Sequence, residues 1–180
     1  ITNRDAMSAM SPSVEELAVG VVVERRPSTS RWQRWHWRAC EIVPGLVATG
    51  GWREIATDRF VAGGPTLRLH RKETEDYRYA LSADPPQLYV VLKAQVEDEP
   101  VPFRPFLVTA SPWEAQAYQD SGEDQIDAVP MPMALAAWIE DFVTRHHVDR
   151  PFFKRRRKGR EQGMADASAF EPVKPSGEEA

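Results

Sequence analysis

The chain is poor in cysteine, in glycine and in long apolar runs. Cys40 is the sole cysteine among 180 residues. One thiol excludes an internal disulfide framework, a zinc ribbon and a cysteine-ligated iron–sulfur cluster, and it suits a reducing cytoplasm. Ten glycines stand against fifteen prolines, so element boundaries should be frequent and long helices few. The longest apolar stretch near the N-terminus, Leu17 to Val23, is interrupted by Gly20. It is too short to span a membrane and lacks the flanks of a secretory leader. Residues 1–16 read as a poorly ordered lead-in. Glycine is also missing where a phosphate loop would need it. The first strand runs into Glu24-Arg25-Arg26-Pro27, and Ala62-Gly63-Gly64-Pro65 is too sparse and leads into another strand. Metal-ligand spacing is lacking too. His36 and His70 are far apart, while His146 and His147 are adjacent and read as a surface pair at a helix C-terminus. No cofactor and no metal site are expected.

What is present is a core-forming domain. Apolar residues make up 42% and charged residues 28%, enough to fold most of the chain. From Leu17 to Val108 the pattern is strand-like. Strands are expected over Leu17–Arg26, over Trp32–Val43, over Thr66–His70 after a Gly63-Gly64-Pro65 turn, over Tyr77–Leu81 after a charged turn at Arg71–Asp76, and over Gln87–Lys93 and Phe103–Ala110. The alternation in Trp32–Val43 is imperfect, which leaves its buried face open. Ser111-Pro112-Trp113-Glu114 places a serine cap, a proline and a glutamate as a capping box requires, opening a helix to about Tyr118. A short strand follows at Ile126–Val129. A second helix runs from Met133 to about His147, with Leu135, Trp138, Ile139, Phe142 and Val143 on one stripe. Short sequential strands without intervening long helices predict an α+β fold: an antiparallel sheet or partly open barrel of about six strands with two C-terminal helices, in a single domain over 17–150.

The charge is segregated. Lys154, Arg155, Arg156, Arg157, Lys158 and Arg160 put six positive charges in seven residues. Taking those six from the net −4 leaves −10 on the rest of the chain. Residues 151–180 therefore read as a basic and then disordered tail, able to meet nucleic acid or an acidic protein face. A second basic feature interleaves aromatic rings: Arg31-Trp32-Gln33-Arg34-Trp35-His36-Trp37-Arg38. Such interleaving binds bases and single strands by stacking plus phosphate contact. It also suits a strand whose tryptophans fill the core while arginines cover the rim. Trp32, Trp35 and Trp37 are thus binding candidates together with the basic run. Cys40, beside Arg38 and His36, reads as a small core residue rather than a nucleophile. Ser111 reads as a cap. A small enzyme would need a pocket gathering Glu24, Arg38 or His70.

Several of these stretches resemble one proteobacterial family of unknown function. They are Val21-Val22-Val23-Glu24-Arg25-Arg26-Pro27 with Trp32 and Trp37, His70-Arg71-Lys72-Glu73-Thr74-Glu75, and Pro86 to Leu92. Thr109-Ala110-Ser111-Pro112, Val129-Pro130-Met131-Pro132 and Pro151-Phe152-Phe153-Lys154-Arg155-Arg156-Arg157 complete the set. Members are typically encoded beside molybdenum-dependent formate dehydrogenase subunits and their maturation factors. The resemblance implies a cytoplasmic, non-enzymatic accessory protein that binds a formate dehydrogenase subunit or a maturation factor, and it carries over no catalytic residues. A nucleotide- or nucleic-acid-binding module built on the Arg/Trp strand and the basic tail is the alternative.

Overall fold

The computed structural model describes residues 13–47, 50–95, 99–119, 122 and 124–149. Its first sheet, in the order β2-β1-β4-β3, is built from β1 (Val14–Pro27), β2 (Trp35–Pro44), β3 (Arg53–Ala56) and β4 (Arg59–His70). The second, in the order β6-β5-β7, holds β5 (Gln87–Ala94), β6 (Phe103–Thr109) and β7 (Gln125–Pro130). All pairings are antiparallel. Three helices complete the domain: α1 (Thr74–Ser82), α2 (Pro112–Gln119) and α3 (Met133–His146). This is the expected α+β class.

One core joins the two sheets. Val19, Val21 and Val23 of β1 pack in the same cluster as Leu88, Val90 and Leu92 of β5 and Leu135, Ile139 and Phe142 of α3. The strands outline a barrel that stays open at two seams, where β2 approaches β7 and β4 approaches β6. Side chains bridge the first seam in place of a ladder. The Ala39 N–H donates to Asp127 Oδ2 at 2.8 Å, and Gln125 Nε2 donates to the Trp37 carbonyl at 2.8 Å. Backbone groups that would otherwise be buried without partners are satisfied this way.

Two bulges explain where period-two reading fails. Val22 pairs Glu41 and Val23 pairs Ala39, so Cys40 is an extra residue in β2. The inserted residue turns the strand over. Trp37 and Ala39 face the core before it, and Ile42 does so after it. The second bulge sits where a turn was expected. Ala18 pairs Thr66 while Gly20 pairs Gly63, so Gly64 and Pro65 stand against one residue in the middle of β4. Gly64 has φ +152°, and a bulge is where a strand tolerates a proline without an N–H. Gly63-Gly64-Pro65 therefore opens no hairpin.

Tyr77–Leu81, expected as a strand, is the body of helix α1, and the charged segment before it is a single tight helical turn over Arg71–Glu73. Thr74, Tyr77 and Ala80 are its buried residues, a spacing of three. Five residues satisfy period two and period three equally, and Glu75 and Asp76 in the first turn favour the helix. The described residues therefore hold three α-helices, where two were expected. β3 and the first half of β4 were also unexpected; a turn at Thr57-Asp58 joins them, with Asp58 at φ 59°. β1 begins at Val14, inside the expected lead-in, because Val14, Glu15 and Glu16 pair His70, Leu69 and Arg68. The remaining expected strands and the two C-terminal helices lie within a residue or two of their places.

Ser111 caps α2 as expected. Its hydroxyl accepts the Glu114 N–H at 3.2 Å. The capping box is not closed by Glu114, however, because the Ser111 N–H already donates to Thr109 Oγ1 at 3.0 Å. The Ser111 hydroxyl instead donates to Asp76 Oδ2 at 2.6 Å, tying α2 to α1. Among the described residues no helix is long and apolar enough to cross a membrane.

Candidate functional site: an arginine–tryptophan surface

The β1–β2 end of the first sheet carries the densest exposed cationic group of the described residues. Residues 24–41 hold five arginines against two glutamates. Two faces of the strand pair divide them. On the core-facing side, Arg25 closes the end of the barrel. Its guanidinium lies 4.6 Å from the Trp35 ring centroid, 5.8 Å from Trp37 and 5.5 Å from Phe60. Asp58 pins it by a 2.6 Å ion pair, and the Arg25 N–H donates to the Asp58 carbonyl at 3.0 Å. A cation over aromatic rings with a fixed counter-ion is a stable lid on an aromatic core.

On the outward side, Arg26 pairs His36 and Glu24 pairs Arg38 across the strands. Glu24 Oε1 sits 2.9 Å from both the Arg26 and the Arg38 guanidinium, off the line of a hydrogen bond. One carboxylate thus serves two arginines. Arg26, His36 and Arg38 stay exposed. Ahead of β2 the loop 28–34 projects Arg31, Trp32 and Arg34 into solvent.

The three candidate tryptophans separate completely. Trp37 is core at 7% exposure, tilted against Phe60 with centroids 5.8 Å apart. Trp35 is half-buried against the core, with Arg25 over its ring and Arg34 at 5.5 Å. Trp32, expected to open the strand, instead lies in the loop ahead of β2, which begins at Trp35; it is 89% exposed, with Arg31 at 5.9 Å. Trp37 is therefore withdrawn as a binding residue, since a partner cannot reach it. The other candidates, Lys154 to Lys158 and Arg160, lie outside the described residues. Arg25 and Asp58 are members of the site that sequence patterning missed. Alternation assigns Arg25 no partner, and nothing in the spacing from Arg25 to Asp58 foretells their pairing.

The remaining chemical candidates are engaged elsewhere. Burial pushes the Cys40 thiol up, with only partial opposition from the hydrogen-bonding Arg59 guanidinium; an attacking thiolate needs the opposite. Its Sγ donates to the Val22 carbonyl at 3.5 Å. His70 pairs Val14 at one end of the β1–β4 ladder, while Glu24 pairs Arg59 at the other. The fold thus keeps His70 apart from Glu24 and Arg38. His146 packs edge-on against Phe142 at 4.6 Å, and His147 Nδ1 lies 3.0 Å from Thr74 Oγ1. Among the described residues no group of three or more histidine, cysteine and acidic side chains is placed to hold a metal ion.

Fold and site together define a small α+β module, a partly open barrel with a basic, aromatic end. Residues 18–157 match the family described as protein of unknown function DUF3305, and the chain belongs to that family. No curated protein and no solved structure matches the chain.

Proposed function

We propose that the chain is a non-enzymatic accessory protein that binds an acidic surface of a partner through Trp32 and the arginines around it, with the basic run Lys154–Arg160 as a second cationic element. The partner implied by the family resemblance is a cytoplasmic formate dehydrogenase subunit or a maturation factor acting on it. The observation that supports this reading is Trp32, at 89% exposure between Arg31 and Arg34. An exposed tryptophan with arginines near it in the loop has the composition of an interface hot spot, in which the ring supplies buried area and the guanidiniums pair with carboxylates. Serial base stacking is less well supported. It needs successive accessible rings, whereas Arg25 covers Trp35 and the core takes Trp37.

The test is affinity capture from the native host with the full chain and with a Trp32→Ala/Arg34→Glu variant, followed by mass spectrometry. Capture of a formate dehydrogenase subunit or maturation factor by the unaltered chain, lost in the variant, supports the proposal. Capture that is equal in both, or a preparation dominated by nucleic acid and released by salt, overturns it.

A further inference from the structure

We propose that the groove between α1 and α2 is a second docking surface, built for a partner segment that presents an arginine or lysine side chain. The groove is a cleft of about 410 Å³ lined by Glu75, Asp76, Arg78, Tyr79, Ser82 and Trp113. It is distinct from the β1–β2 surface and does not depend on the function proposed there.

Three observations carry it. First, two large aromatic rings stand side by side without cover. Tyr79 is 60% exposed and Trp113 59%, their centroids 6.2 Å apart and their planes inclined by 33°. Isolated exposed apolar residues are ordinary, but adjacent tyrosine and tryptophan present the largest contact area for the least ordering entropy. Second, the two helices that carry the pair are joined by a side chain. Asp76 and Tyr79 are three residues apart on α1 and so share a face, and the Ser111 hydroxyl that caps α2 is also the donor to Asp76. One side chain therefore ties the helix that carries Tyr79 to the helix that carries Trp113. Third, carboxylates outnumber cations in the lining, two to one. Glu75 and Asp76 contribute two carboxylates, and the one cation, Arg78, is already turned toward Glu75 at 3.6 Å and toward His147 Nε2 at 2.9 Å.

Negative charge beside open π faces is complementary to a guanidinium or ammonium group. The rings attract the cation through their quadrupole, and the carboxylates neutralise it. An anionic segment would meet Glu75 and Asp76 at close range. A purely apolar segment would leave both carboxylates facing it.

The experiment is an amide and indole NMR titration of the full chain with a capped pentapeptide carrying arginine at its second and fourth positions among glycines. The control peptide has citrulline at both, which keeps the shape and removes the charge. Trp113 indole N–H is assigned by its loss in Trp113→Phe. A saturable shift at Trp113 and along 75–79 with the arginine peptide and not with the citrulline peptide is the expected result. Trp113→Ala should weaken binding about fivefold or more, and Glu75→Gln about threefold. Tyr79→Ala supplies the same test should the Trp113 variant lose its dispersed spectrum. No saturable shift at Trp113, equal shifts with citrulline, or shifts that follow protein concentration alone, as a second copy in the groove would give, overturns the proposal.

Discussion

The β1–β2 surface and the α1–α2 groove each expose aromatic rings, but they stabilise them in opposite ways. At the first, cations sit on the rings: Arg25 and Arg34 lie over Trp35, and Arg31 over Trp32. At the second, the rings lean on each other and carboxylates line the floor. The supply of cations therefore differs. The first region sets its arginines against fewer carboxylates, with Asp58 on Arg25 and Glu24 shared by Arg26 and Arg38, an excess of positive charge. The second sets two carboxylates, Glu75 and Asp76, against the cation Arg78, an excess of negative charge. A chain of net −4 conceals two surfaces whose local charge, rather than the total, decides what each can meet.

The comparison breaks most visibly at the tryptophans. Trp37→Ala removes a core ring from beneath Arg25 and beside Phe60 and is expected to cost about 3–5 kcal/mol. Trp32→Ala is expected to stay within about 0.5 kcal/mol. Urea unfolding of both checks the contrast; equal losses would show that Trp32 is structural. Next in size is the junction that builds the groove. Ser111→Ala removes both the cap of α2 and the donor to Asp76, an expected loss of about 1–3 kcal/mol. Glu114→Gln should be near neutral, since Glu114 closes no capping box. Thermal melts of the pair separate the two roles.

The smallest effect is electrostatic. A hydrogen bond from Arg145 holds the Glu15 carboxyl below the ordinary range, against the opposing effect of burial, and Trp138 Nε1 also donates to it at 3.1 Å. A carboxylate whose folded pKa lies below its unfolded value contributes stability that is fully present above the unfolded value, and that is lost as pH falls through the folded one. Stability measured by denaturant from neutral pH to below pH 4.5, the unperturbed value, should therefore fall, and Glu15→Gln should flatten that acid limb. An unchanged acid limb in Glu15→Gln would show that β1 and α3 are not joined through this group.

Much of the fold was legible because burial and period agreed. The β-branched run of β1, the apolar runs of β5, β6 and β7, and the apolar stripe of α3 each mark an element, although a register shift leaves Phe106 extra in β6. The failures come from one-residue events. An extra residue at Cys40 inverts the face of β2, and Gly64-Pro65 looks like a turn where it is a bulge. Tyr77–Leu81 is too short for its period to be decided locally; the burial of Tyr77, whose hydroxyl accepts the His70 N–H and donates to Glu73, decides it. The site was legible as composition only. Arginine and tryptophan interleave in the chain, but which ring is core, which is lidded and which is bare depends on where β2 starts and on Asp58, brought to Arg25 by the β3–β4 turn that patterning missed. The Tyr79–Trp113 pair was invisible for the same reason: it forms where two helices distant in sequence meet, joined by Ser111.

The central claim is that the arginine–tryptophan surface docks a partner needed for a formate dehydrogenase. The most direct measurement is formate dehydrogenase activity in a host lacking this gene, complemented with the unaltered chain or with the Trp32→Ala/Arg34→Glu variant at equal protein levels. Loss of activity on deletion, restored by the unaltered chain and not by the variant, is the predicted result. Activity and metal content that do not change on deletion, or full restoration by the variant, would contradict the account.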